Sequence, residues 1–224
     1  MTLDEALAAL EARGEARIRD GLARYGISTA DRVIGVPMAG IQQVGKSCGR
    51  DHALAGALWE TGVYEARMLT AFVGDPSLMT REEMDGWTRD FDNWGVCDTL
   101  CFKLFDKSPH AFAMVDRWAD DPAEFVKRTA FALLASLALH DKNAADELFL
   151  SRLPLTEAAA TDERNFVKKG VSWALRSIGR RKSPTLRTAA RELADRLAGA
   201  SSKSSRWVGK DARKEFGKLD SRKP

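Results

Sequence analysis

The chain has 224 residues, 44% hydrophobic and 30% charged, with a formal net charge of +3. That length suits one large domain with a sizeable core, and no apolar run approaches the roughly 20 residues of a membrane span. Three cysteines, Cys48, Cys97 and Cys101, are an odd number, which speaks against a disulfide framework and for a reducing compartment.

The first 17 residues, MTLDEALAALEARGEAR, are charged throughout and lack the apolar stretch of a signal peptide. A cytoplasmic location is therefore expected. The small net charge hides an asymmetry: residues 1–124 hold 13 Lys and Arg against 21 Asp and Glu, whereas residues 125–224 hold 22 against 11. A basic half on an acidic half hints at contact with nucleic acid or a membrane surface, although basic faces are often only solvated.

Along the chain every segment reads as helix. Ala- and Leu-rich runs with 3.6-residue apolar periodicity recur, and nothing alternates with period two. Breakers such as Gly35 with Pro37, Gly74–Asp75–Pro76, Asp121–Pro122, Leu153–Pro154 and Ser183–Pro184 separate about a dozen helices by short links. That pattern predicts an all-α chain of antiparallel helix pairs stacked as an α-solenoid. One repeat domain over residues 1–220 is expected, with residues 221–224 as a basic, disordered tail.

Residues 3–24 read as an amphipathic cap, residues 36–47 as the next helix, and residues 51–72 as a helix pair broken near Thr61–Gly62. His52 is expected to be exposed or capping. Thr80 followed by Glu83 is a capping box. In the helix after Asn93, Cys97, Leu100, Cys101 and Leu104 form the core stripe, with Trp94, Asp98 and Phe105 along its edge. Trp94 and Asp98 are i, i+4 neighbours, close enough to flank one small group. The alternative is a buried Trp beside an Asp that hydrogen-bonds a neighbouring helix. No histidine or further cysteine joins Cys97 and Cys101, so no metal site is expected.

In residues 122–140, Val126, Ala130, Leu133, Leu134 and Leu137 face the core, while Arg128 points the other way between Ala132 and Ala135. A guanidinium on a small-residue face lets a backbone or phosphate approach; the competing reading is an intrahelical pair with Glu124. His140 is expected to cap the helix end. In residues 165–181, NFVKKGVSWALRSIGRR, the core face is Val167, Val171, Ala174, Leu175 and Ile178. The opposite side carries Lys169, Trp173, Arg176 and Arg180 at i, i+4, i+7 and i+11. Either the indole packs under the arginine stems as a structural cation–π contact, or the strip meets a polyanion. Two further helices, residues 185–198 and 204–219, close the chain; the latter is basic, contains a Trp and reads as the last repeat.

Three of these words, NWGVCD at 93–98, FVKRTAFALL at 125–134 and NFVKKGVSWALRSIGRR at 165–181, agree in order and spacing with one family. Through them nearly the whole chain resembles the AlkD-like DNA alkylation repair family of HEAT-like repeat DNA glycosylases. The resemblance implies a curved stack of HEAT-like helix pairs whose basic concave face grips duplex DNA, alkylated or distorted. It implies excision of positively charged N3- and N7-alkylated purines, as a 3-methyladenine/7-methylguanine-type glycosylase, with no metal or other cofactor. The family's active-site Trp, Asp and second Trp fall on Trp94, Asp98 and Trp173, and its phosphate-contacting Arg on Arg128. Lys169, Arg176 and Arg180 are then expected on further phosphates. A monomer, associated with the nucleoid when bound and away from membranes, completes the expectation. The chain departs from the family at Met38, Ala39, Gly40 and Ile41, where relatives often carry Arg or other polar residues toward DNA, so the DNA grip there is expected to differ.

The residue types suit that chemistry. An alkylated purine already carries positive charge and leaves as a neutral base, so no general acid is needed; a carboxylate beside the sugar stabilises the developing oxocarbenium ion and orients water. Two other classes of function stay open: a non-catalytic repeat protein that binds bent or branched DNA, and a protein-interaction solenoid.

Overall fold

A computed structural model describes residues 1–221. Among them lie fourteen α-helices: α1 Leu3–Glu11, α2 Ala16–Arg19, α3 Met38–Cys48, α4 His52–Trp59, α5 Tyr64–Val73, α6 Arg81–Arg89, α7 Trp94–Lys103, α8 Ala111–Trp118, α9 Glu124–His140, α10 Asp146–Leu150, α11 Leu153–Ala159, α12 Asn165–Gly179, α13 Pro184–Ala198 and α14 Lys203–Asp220. Two 3₁₀ turns, Leu22–Tyr25 and Phe105–Lys107, complete the described elements. The all-α expectation holds, and no helix among the described residues is long and apolar enough to cross a membrane. The expected tail lies, beyond Ser221, outside the described residues.

The chain divides into two compact units, one ending at Pro109 and one beginning at His110. In the first, α3, α5 and α7 pack side by side in a row, with α4 paired to α5. Four helices start on side chains that satisfy their free N–H groups: Thr2, Asp51, Thr80 and Asn93, the first and third as capping boxes. The break at Thr61–Gly62 falls as expected, with Gly62 at φ +61°. The amphipath of residues 3–24 is instead three short pieces. Gly14 and Gly21 weaken helix propagation there, and the chain then turns into an extended loop.

That loop is anchored by a carboxylate. Glu65, 1% exposed, accepts the backbone N–H groups of Ile34 at 2.9 Å, Gly35 at 2.6 Å and Val36 at 3.2 Å. Gly35 sits at φ +94°, and a Cβ there would stand 2.3 Å from the Glu15 carbonyl, so only glycine fits. His52 is neither free nor a cap: its Nε2 lies 3.2 Å from Glu83 Oε1, tying α4 to α6.

In the second unit the pairs are α8 with α9, α11 with α12 and α13 with α14, and the second members α9, α12 and α14 pack in a row. The stripes predicted for α9 and α12 are buried throughout. Each such Leu, Ile or Val contributes about 1.5–3 kcal/mol by leaving water. Helix α9 goes further, since residues 128–138 are buried on every side. Ser183 caps α13 with Pro184 at its first position.

Candidate functional site

The N-terminus of α7 is held from several sides. Asn93 caps it through its side chain, accepting from Val96 N–H at 3.1 Å, and its amide donates to Asp92 at 2.8 Å. Asp92 in turn accepts the Ala30 N–H at 2.7 Å. The Trp94 indole N–H donates to the Tyr25 carbonyl at 3.0 Å, so the ring is oriented by a loop far away in sequence. Gly95 follows because a Cβ there would stand 2.6 Å from the Tyr64 hydroxyl. Burial, then the charges of Glu65 and Asp92, push that phenol far up, and it stays neutral against the helix start.

One turn on, Asp98 is half-buried, as is Trp94, while Val96, Cys97, Leu100 and Cys101 point inward. The predicted core stripe, which Leu104 completes, is therefore buried, but Phe105, expected along its edge, is fully buried as well. Cys101 is a core thiol whose pKa burial and then a hydrogen bond with Cys97 raise well above its ordinary value. At α3, Met38 and Ala39 are exposed and Ile41 is buried, so the first turn of that helix offers no cation to an anion.

In the second unit the structure changes the reading of Arg128. It does not stand on an open small-residue face. It is 6% exposed, because Ala132 and Ala135 are themselves buried against other helices. Arg128 Nη1 donates to the Phe166 carbonyl at 2.8 Å, and Glu124, one turn earlier, accepts the Phe166 N–H at 3.3 Å. The two charged residues thus reach across to one residue of α12. Glu124 thereby supplies the cap that α12 lacks from its own N-cap side chain, while Arg128 ties the first-turn carbonyl to α9.

The start of α12 is held again by Asp162. Its carboxylate accepts from the Arg164 N–H at 3.0 Å, Nε at 2.9 Å and Nη2 at 2.6 Å, which pulls its pKa down to about 2. Along α12, Lys169 is exposed and Trp173 half-buried. Arg176 and Arg180 turn toward α14, where Asp211 and Glu215 lie one turn apart. Arg176 Nε is 3.2 Å from Asp211, and Arg180 pairs with Glu215. The expected strip of three cations is thus one exposed lysine and two braced arginines. The acids that brace them, in KDARKE on α14, were visible in the sequence, but their target was not.

Sequence reasoning also missed a cleft of about 460 Å³ at the turn from α12 to α13. Lys142, Arg180, Arg181, Lys182 and Ser183 line it, with Asp146 as its one acid. Arg181 is structural: it donates to the carbonyls of Ala138, Asp141 and Ala144 and lies over the Phe149 ring, 4.3 Å from its centroid.

Comparison with known proteins agrees with this architecture. A family model described as "DNA alkylation repair enzyme" matches residues 6–216. No curated protein matches the chain. A solved structure described as "a new family of proteins related to the HEAT-like repeat DNA glycosylases with affinity for branched DNA structures" is similar with a TM-score of 0.77 and 18% identity, over 96% of this chain and 95% of that one. A designed armadillo repeat protein aligns with a TM-score of 0.36 and 14% identity, over 79% of this chain and 92% of that one.

Proposed function

This chain belongs to the DNA alkylation repair enzyme family, and from that premise we propose that it is a monofunctional DNA glycosylase that removes positively charged N3- or N7-alkylated purines from duplex DNA. The observation that carries this reading is on α7. An indole oriented by its hydrogen bond to Tyr25 stands one turn from a half-buried carboxylate, on a helix start locked by Asn93, Asp92 and Gly95. A carboxylate that acts electrostatically must be held before the charge develops.

In this mechanism the bond from C1′ to the purine nitrogen breaks with its electron pair passing to the base, discharging the base's positive charge. Asp98 stabilises the oxocarbenium ion left on the deoxyribose and orients the water that adds at C1′; the water's proton goes to the carboxylate or to solvent. Trp94 and Trp173 are assigned to the cationic base, with cation–π attraction of roughly 0.5–2 kcal/mol each favouring a charged lesion over a neutral purine. Lys169 is assigned to a phosphate, as are the outward edges of Arg176 and Arg180. Arg128 is assigned to DNA indirectly, through the α12 helix start that it holds. Action as a monomer on nucleoid DNA in the cytoplasm is part of the same proposal.

The test is release of free 7-methylguanine or 3-methyladenine from methylated genomic DNA. Asp98→Asn is expected to lower the rate by about 10²–10³-fold, the usual effect of removing one electrostatic group of about 2.7–4 kcal/mol, with duplex binding retained. Full activity in that variant would remove Asp98 from the mechanism. A second reading, binding of branched DNA without base release, is favoured by the affinity stated for the similar structure and by the cation-free first turn of α3. It predicts tighter binding to a four-way junction than to a duplex of equal length, and no free base.

A further inference from the structure

Helix α14 carries a face that the proposed chemistry does not use. Lys203, Trp207, Lys210 and Lys214 are all exposed, at i, i+4, i+7 and i+11, within an arc of about 60° at 100° per residue. The opposite side of the helix, Ser204, Ser205, Val208, Gly209, Ala212 and Phe216, is buried. Trp207 is 39% exposed, and few indoles are left so open in a face that only needs to be solvated. Lys168, from the neighbouring α12, places its Nζ 5.1 Å from the centroid of the Trp207 ring.

The charges of this face are not neutralised from within. Among the described residues Lys168, Lys203, Lys210 and Lys214 make no ion pair with a carboxylate. The acid nearest the strip on α14, Asp211, is engaged by Ser172 at 2.6 Å and by Arg176 at 3.2 Å. An exposed aromatic ring among lysines that no carboxylate neutralises combines the two parts of a single-strand site: a surface on which any base can stack and cations for the flanking phosphates.

We infer that the α14 face centred on Trp207, with Lys168, Lys203, Lys210 and Lys214, binds unpaired nucleotides of single-stranded DNA by stacking a base on the indole. It takes only its choice of nucleic acid from the function proposed above and is independent of Asp98 and of base release. Unpaired bases occur at branch points, gaps and frayed ends, so the face would hold the chain beside such structures while α7 and α12 serve the duplex.

The experiment is a fluorescence-anisotropy titration of the full chain with a labelled oligothymidylate about 20 nucleotides long and with a duplex of equal phosphate number. Trp207→Ala is expected to weaken oligothymidylate binding by about 10-fold or more, the effect of losing one stacked base, and Trp207→Phe by much less. Replacing Lys203, Lys210 and Lys214 by Gln is expected to lower the slope of log affinity against log salt by about 2, at about 0.7 per phosphate contact on a single strand. Duplex binding should be unchanged in the two Trp207 variants and base release in all three, and far-UV circular dichroism melts should overlay the parent. Equal oligothymidylate affinity in Trp207→Ala and the parent overturns the inference. So does polyglutamate competing as well as oligothymidylate, which would make the face an acidic-protein site. Base release from methylated duplex without oligothymidylate binding overturns this inference and leaves the glycosylase reading standing. Oligothymidylate binding that depends on Trp207, without base release, does the reverse.

Discussion

The two units solve the same problem, holding short helices together, with a different balance of charged groups. In the first, carboxylates do the tying: Glu65 gathers three loop amides, Asp92 holds Ala30, and Asp51 caps α4. In the second, guanidinium groups take the larger share beside Asp162 and Glu124: Arg128 reaches the first turn of α12, Arg181 the end of α9, and Arg152 joins Phe112 and Asp116. By sequence, residues 1–109 hold 12 Lys and Arg against 17 Asp and Glu, and residues 110–224 hold 23 against 15. The basic excess of the second unit is thus not an excess of available cations. Its arginines are largely engaged internally, where a planar fork with five donors bridges carbonyls and carboxylates well. Its exposed lysines, Lys169, Lys182, Lys203, Lys210 and Lys214 among them, are what remains for a polyanion.

The sharpest test of the first half of this contrast is Glu65→Ala. It strands three buried amide donors at about 1 kcal/mol or more each, so a loss of about 3 kcal/mol or more in urea unfolding is expected. A loss below about 1 kcal/mol would show that the Ile34–Val36 amides find other partners and that the carboxylate is dispensable.

The next effect belongs to the second unit. The Arg164 hydrogen bonds hold the Asp162 pKa at about 2, below its ordinary 3.8. The folded state therefore binds a proton less readily than the unfolded chain. This contribution is complete above the ordinary pKa and disappears as pH falls from about 4 through about 2. Asp162→Asn should cost roughly 1.5–3 kcal/mol at neutral pH, as expected for a charged hydrogen-bond acceptor. It should also flatten the stability–pH curve in that acid window. An unchanged curve would shift the anchoring of α12 onto Glu124 and Arg128.

The smallest effect separates engaged from available charge directly. Lys169→Gln should make the salt slope of duplex binding shallower by about 0.9, one phosphate contact. Glu215→Gln, which releases Arg180, should make the slope steeper by up to the same amount, with stability changed by less than about 1 kcal/mol because that pair is surface-facing. If Glu215→Gln leaves the slope unaltered, Arg180 is not withheld from DNA by its salt bridge.

Much of this was legible in the sequence. Apolar periodicity and caps placed α4, α5, α6, α7, α9, α12, α13 and α14 within a few residues, and the buried stripes of α7, α9 and α12 came from the same signal, because one-sided burial leaves a 3.6-residue trace. Where that trace was absent the expectation slipped: α9 carries a stripe and also buries its other faces in small residues, so Arg128 looked solvent-facing.

By itself the sequence determined the helices and their amphipathic faces, since each depends on neighbours within one or two turns, and the family, through the order and spacing of three longer words. Only the tertiary structure decided where the charges are directed. Glu124 and Arg128 could have paired with each other along α9, and instead they share Phe166. Arg176 and Arg180 could have faced solvent, and instead they meet Asp211 and Glu215. Long, flexible charged side chains choose partners by what packs within reach, and across 35 or more residues of chain that proximity is created by helix packing and leaves no local mark in the sequence.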